Sequence, residues 1–296
     1  KQTLKEYSVN LNQSTNSAGD FVFRFEPTTV TFNNVAWNID TSPELNHSIT
    51  YRKKTGDFFI QNLRVYSDNS ELFVKQSVFK SAKDFSAVGE VRNLELAKVL
   101  ALTNTNNTMD VKGVANGTFD ITMSKNNLEP LIDLDITDIF MNGKDMGNVT
   151  ISAKKSAIPN VFDIEAKVVS AGIIGDNSLF LTGTINNNTS SPTLDVLAKM
   201  NDFDLSFAQE FVKGVFGNLR GKASGDLKIS GRITDLDYSG DLALKGFGLK
   251  LNFTGVDYSM DDTVISLSKG LAILNDIGIK DGRSNSKGSI SGAIQF

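Results

Sequence analysis

Apolar and polar residues alternate along nearly the whole of this chain, and a chain written that way has to fold into strands with one dry face. The clearest runs are Phe21, Phe23, Phe25; Val35, Trp37, Ile39; Phe119, Ile121, Met123; Leu134, Ile136; Val149, Ile151, Ala153; and Phe162, Ile164, Ala166, Val168. The period returns in Leu179, Leu181; Leu227, Ile229; Leu242, Leu244; Leu249, Leu251, Phe253; and Ile290, Ile294, Phe296. Side chains two apart share a strand face, so each run is a ribbon with an apolar and a polar side. Between the runs stand turn formers, read as hairpin signatures: Ser67-Asp68-Asn69, Asn104 to Asn107, Asp261-Asp262 and Asp281-Gly282. The number of runs predicts roughly 16 to 20 strands.

One segment departs from this period. From Ser206 to Phe216 the apolar positions Phe207, Phe211, Val212, Val215 and Phe216 follow helical spacing, with Ser206 and Gln209 placed as a capping box and Gly217 as a stop. The spacing predicts a short amphipathic helix over residues 206–216, whose Phe207, Phe211 and Val215 cap a sheet or close one end of it.

The chain also repeats itself. Leu94, Gly113, Gly117, Phe119 and Ile121 correspond to Phe203, Gly221, Gly225, Leu227 and Ile229 at an offset of 108 or 109 residues. Gly56 and the apolar positions after it match Gly270 and its followers at 214, close to twice that period. This reads as one elongated unit over 1–296, with copies near 85–200 and 201–296 and a partial copy in 1–84. A shorter version of the helix is expected from Ala97 through Leu102.

A one-sided sheet can bury its apolar face against a second sheet, by closing into a barrel, or by folding over on itself. Composition does not choose among these, but repetition favours a sheet that lengthens by copies. The expected fold is therefore all-β, an elongated and strongly curved sheet forming an open groove with a hydrophobic concave face. The lining is expected from Phe119, Ile121, Met123, Ile151, Ile164, Leu181, Leu227, Ile229, Leu242, Leu244, Leu251 and Phe253. Burying a methylene on such a lining is favourable by about 0.8 kcal/mol, which suits acyl chains. The same residues interlocked in a sandwich core would leave no such space.

Catalytic chemistry has few residues to work with. There is no cysteine and one histidine, His47, which removes thiol nucleophiles and thiolate or His-pair metal sites. His47 alternates with Leu45 and Ile49 and reads as a surface residue on a polar strand face; Trp37 reads as core. Asp133 and Asp135, or Asp261 and Asp262, lack the further ligands of a calcium site. Gly221 to Gly225 lacks the order of a phosphate loop, and its glycines fit tight bends or close backbone approach. No cofactor, metal or enzymatic role is expected. Thirty basic against 34 acidic residues, interspersed, give a net charge of −4, which argues against nucleic acid. No stretch approaches the length of an apolar membrane-spanning helix.

The segment from Asn218 to Gly231, NLRGKASGDLKISG, resembles the repeated glycine and alternation element of the AsmA-like superfamily. The order that follows, Tyr238-Ser239-Gly240-Asp241-Leu242, Gly255-Val256-Asp257-Tyr258, Asp281-Gly282-Arg283 and Lys287-Gly288-Ser289-Ile290, is most similar to the TamB family of translocation and assembly modules. The resemblance is strongest over residues 200–296. It implies a segment of a Gram-negative envelope protein crossing the periplasm as a taco-shaped sheet, with an inner-membrane anchor outside this segment. Phospholipid acyl chains are then the expected cargo, carried toward the outer membrane. The alternative that the resemblance carries is a scaffold for assembling outer-membrane proteins with a TamA-like barrel of the Omp85 type.

Overall fold

The computed structural model describes residues 9–32, 34–102, 110–125, 127–141, 143–169, 178–188, 191–209, 213–232, 235–268, 270–284 and 286–295. Asn104 to Asn107, Phe211 and Phe296 lie outside the described residues. The chain is nearly all β, about 75% strand, so the alternation is expressed throughout as sheet. Among the described residues, twenty strands belong to one antiparallel sheet.

The strands are β1 (Leu11–Thr15), β2 (Phe21–Phe25), β3 (Thr29–Phe32), β4 (Val35–Ile39), β5 (Ser48–Arg52), β6 (Asp57–Ser67), β7 (Ser70–Ser81), β8 (Asp84–Glu95), β9 (Val111–Ser124) and β10 (Asn127–Met141). They continue as β11 (Lys144–Lys155), β12 (Val161–Val169), β13 (Leu179–Asn186), β14 (Thr193–Asp204), β15 (Phe216–Arg232), β16 (Asp235–Leu251), β17 (Val256–Met260), β18 (Thr263–Ser268), β19 (Leu271–Asp281) and β20 (Lys287–Gln295). An α-helix, α1 (Leu96–Leu102), follows β8 where the shorter helix was expected. The chain groups into two compact units, Lys1–Asn142 with Thr150–Lys155 and Gly143–Val149 with Ser156–Phe296, a division that cuts across the 85–200 repeat.

Most strands are hairpin neighbours. Asp68 and Asn69 make a two-residue turn that sets Ser67 opposite Ser70, with Asp68 at φ 50°. Asp261-Asp262 does something else. β17 and β18 each pair with both β16 and β19, so these aspartates interrupt one strand path instead of reversing it. Asp262 accepts the Gly246 N–H at 2.9 Å, which fixes the break opposite an irregular stretch of β16.

The predicted helix over 206–216 is corrected at its ends. A 3-10 turn covers Leu205–Ala208, Gln209 is helical, residues 210–212 lie outside the described residues, Val215 lies in an exposed turn, and Phe216 already begins β15, paired with Leu251. The cap is Asp204, whose carboxylate accepts the Ser206 N–H at 2.9 Å. Gln209 does not reach back as a capping box. Its amide donates to Phe216 O at 3.0 Å and accepts from Leu219 N at 2.6 Å, holding the start of β15. Two backbone groups of a strand thus claim the side chain that a capping box would have used.

The sequence repeat coincides with a local device. Asn93 and Asp202 both sit at left-handed φ (45° and 46°) in β-bulges, where two residues of one strand oppose one of its neighbour. Their N–H groups are received by Asn116 Oδ1 at 2.8 Å and Ser224 Oγ at 2.9 Å. Gly117 and Gly225 come next, at φ 143° and 139°, and a Cβ on either would fall on the backbone of the adjacent strand, at Asp133 and Asp241. After each bulge the chain leaves the sheet through a short helical turn and returns on the strand that faces the bulge. Asp276 and Ser291 form the same bulge a third time, between β19 and β20.

Candidate functional site: the apolar sheet faces

Residues paired across antiparallel strands project to the same side, so the registers define each face row by row. In the first unit one row runs Phe21, Tyr51, Phe58, Phe79, Phe85, Met123 and Leu128 across seven strands. The next runs Phe23, Ile49, Ile60, Ser77, Ala87, Ile121 and Pro130. Beyond small bulges come Leu63, Val74, Gly89, Phe119 and Ile132, then Val65, Leu72, Val91, Gly117 and Leu134. The result is one continuous apolar face.

Its two ends differ. At one, Trp37, Val91, Leu94 and Ala115 form a buried core, with Leu96 and Val99 of α1 packed onto it. At the other, the outermost row leaves Phe58 43% and Phe79 47% exposed. Phe119 and Ile121 lie between and Met123 in the outermost row, all half-buried.

The opposite side of these strands is ionic. Arg64 reaches Asp40 at 3.3 Å and Glu71 at 3.5 Å, Arg92 reaches Glu90 at 2.6 Å, and Lys75 reaches Glu90 at 3.0 Å. The Lys75 ammonium, chiefly by its hydrogen bond, holds the Glu90 carboxyl below its ordinary range. Arg92 and Lys75 of this network reach solvent, while Glu71 and Glu90 are half-buried beside Phe73 on the same side. A shallow cleft of about 440 Å³ touches Lys75, Val88, Thr118, Asp120, Leu131 and Asp133, which mix both charges and suit no single ligand.

The second unit builds an equivalent face. Phe162, Ile185, Leu194 and Leu236 lie in one lateral row; Ile164, Val196, Ile229 and Tyr238 in the next; then Ala166, Leu181, Ala198, Leu227 and Leu267; then Val168, Leu179, Met200, Gly225, Leu242 and Ile265. Phe203, Ala223 and Leu244 close the series. Six expected lining residues, Ile164, Leu181, Leu227, Ile229, Leu242 and Leu244, therefore share one face, with Leu227 and Leu244 buried and the others half-buried. Leu251 is half-buried opposite Phe216, and Ile151 is half-buried on β11 in alternation with the buried Ala153.

Phe253 is corrected: it lies in the turn after β16 and is 98% exposed. The Gly255 N–H bonds Leu251 O at 2.7 Å and closes that turn, so the alternation of Leu249 and Leu251 stops before Phe253. Phe207 packs its ring 5.7 Å from Phe203, at the margin of the face. Val215 is 58% exposed and covers nothing.

His47 is buried, at 6% exposure, and not on a strand surface. Its Nε2 lies 3.0 Å from Phe25 N and 3.1 Å from Phe25 O, where β2 has left its pairing with β5. Its role is to satisfy backbone. Trp37 is in the core, as read. Asp133 and Asp135 are exposed on β10, and among the described residues no group of three metal-ligating side chains exists. No described helix is long and apolar enough to cross a membrane.

Asp57 is a tightly held carboxylate of the first unit. Arg52 bonds both its oxygens, at 2.8 and 2.7 Å, and the Thr55 hydroxyl adds a third bond at 2.7 Å. These bonds, Arg52 first, keep its carboxyl below the ordinary range. A depressed folded-state pKa stabilises the fold above the unfolded value of about 3.9, and that contribution is lost as pH falls through the folded value. Asp57→Asn is expected to cost about 1–2 kcal/mol at neutral pH, discounted for the half-exposed Arg52, and progressively less below about pH 4. Denaturant unfolding followed by Trp37 fluorescence at both pH values checks this; an equal deficit at both would refute it.

The fold and its faces define an all-β protein organised around one-sided apolar sheet. No protein-family model, curated protein or solved structure matches the chain.

Proposed function

We propose that this protein is a non-catalytic carrier of phospholipid acyl chains, which lie against its apolar sheet faces. The observation that carries the reading is the run of directly paired apolar residues across seven strands, half-buried and grading from a closed end to an exposed one. A face built only for its own core would be buried at both ends. Such a surface recognises chains by shape and area, and no polar group converges on it to perform chemistry.

The resemblance to AsmA-like proteins supplies the setting: the periplasm, in an inner-membrane-anchored bridge that carries phospholipid toward the outer membrane. A barrel partner of the Omp85 type belongs to the same reading. The test is photocrosslinking in cells from Ile121 and Leu181, with Thr118 on the ionic side as control. Covalent phospholipid is expected at the first two and not at the third. Folded protein that captures no lipid at either apolar position, or captures outer-membrane barrel proteins there instead, would sink the carrier and favour the assembly scaffold.

A further inference from the structure

The exposed end of the first unit's apolar face carries a second pattern. Its outermost row holds the exposed Phe21, Phe58 and Phe79, and the turns immediately beyond hold exposed lysines: Lys53 and Lys54 between β5 and β6, Lys83 between β7 and β8, and Lys125 after β9. The strands run antiparallel in hairpins, so these turns all fall at the same end.

Cations are treated differently at the two ends. At the closed end Lys98 bonds Ser67 O and Asp68 at 2.9 Å and Glu95 at 3.0 Å, and Arg64 bonds Asp40 and Glu71. At the exposed end Asp57 is held by Arg52, Asp20 accepts the Lys53 N–H at 3.0 Å, and the exposed Asp84 lies 3.9 Å from Lys80. Lys54, Lys83 and Lys125 have no ion pair among the described residues. Lys53 rests its ammonium 3.9 Å above the Phe21 ring, in reach of solvent.

Exposed aromatic rings next to unpaired lysines match a bilayer interface, where rings sit at headgroup level and ammonium groups meet phosphates. An acidic protein partner would suit the lysines but would leave no reason for a row of phenylalanines in line with an apolar face. We propose that this strand-end rim docks on bilayers rich in anionic phospholipid, with Phe58 and Phe79 entering the interface and the lysines on the phosphates. The proposal does not require that lipid then moves along the face.

The test is flotation of the full chain with vesicles of phosphatidylcholine alone or containing about 30 mol % phosphatidylglycerol. Binding is expected only with the anionic lipid, weakening as salt rises from about 50 to about 300 mM. The triple variant Lys54→Glu, Lys83→Glu, Lys125→Glu should lose about a hundredfold or more in partitioning, and Phe58→Ser with Phe79→Ser about tenfold. Trp37, the single tryptophan, lies at the opposite end, and its unchanged emission reports that the variants are folded. Equal binding to both vesicle types would overturn the proposal, as would full binding by the folded triple variant. Lost flotation with retained crosslinking at Ile121 would support the rim as a docking surface separate from carriage. Flotation retained by the folded triple variant, with crosslinking at Ile121 retained, would overturn the rim while leaving the carrier reading standing; a parent chain that floats but captures no lipid at Ile121 would sink the carrier and leave the rim.

Discussion

Trp37→Ala is expected to lower the stability of the first unit by about 3–5 kcal/mol, read as a lower denaturant midpoint by far-UV circular dichroism. The ring is 5% exposed and lies among Val91, Leu94 and Ala115, with Val35, Val65, Leu72 and Val99 around it. Its removal opens a cavity where a four-residue strand pair and a seven-residue helix cover the sheet, and neither element is long enough to collapse onto the gap unaided. Trp37→Phe separates packing from polarity. The indole Nε1 is buried without a hydrogen-bond partner among the described residues, so phenylalanine loses apolar area but also removes an unsatisfied donor that costs about 1–3 kcal/mol. The two changes oppose each other, and Trp37→Phe should fall within about 1 kcal/mol of the parent. A loss comparable to that of alanine would mean that the indole N–H is satisfied in solution.

Strands and faces were legible because alternation is local: a residue's side of the sheet follows from its neighbours two positions away. That is why Ile164, Leu181, Leu227, Ile229, Leu242 and Leu244 could be read onto a face and do share one. What depends on distant pairing was not legible. The row from Phe21 to Leu128 exists only through the registers of seven strands, and Tyr51, Phe58, Phe79 and Phe85 escaped notice although each is apolar at a strand end.

His47 was misplaced because the group it satisfies, Phe25 N–H, is 22 residues away. The 206–216 segment has true helical spacing and Gln209 is helical, yet pairing with β16 draws Phe216 into strand and the Gln209 side chain into its support. Phe253 alone had a readable warning, the Thr254-Gly255 turn former immediately after it.

Gly225→Ala is expected to destabilise the second unit by about 3 kcal/mol or more. Two separate costs add. The backbone at φ 139° lies where only glycine is relaxed, and the new Cβ would fall on the Asp241 carbonyl oxygen of β16. The chain cannot evade both by rotating, because Gly225 is pinned on either side. It pairs with Met200 and Leu242, and the Ser224 hydroxyl before it holds the Asp202 bulge. Relief would therefore have to come from shifting β16 against β15, which displaces the row containing Met200, Leu242 and Ile265. Ser224→Ala tests the other half of the device: it removes the acceptor for Asp202 N–H without touching the glycine, and should cost only about 1 kcal/mol. Hydrogen exchange resolves the two, since Gly225→Ala should deprotect amides across β14, β15 and β16, and Ser224→Ala only those beside the bulge. If Gly225→Ala proves neutral, the two strands do not approach as closely as the bulge requires, and the glycines shared by the repeat must be kept for another reason.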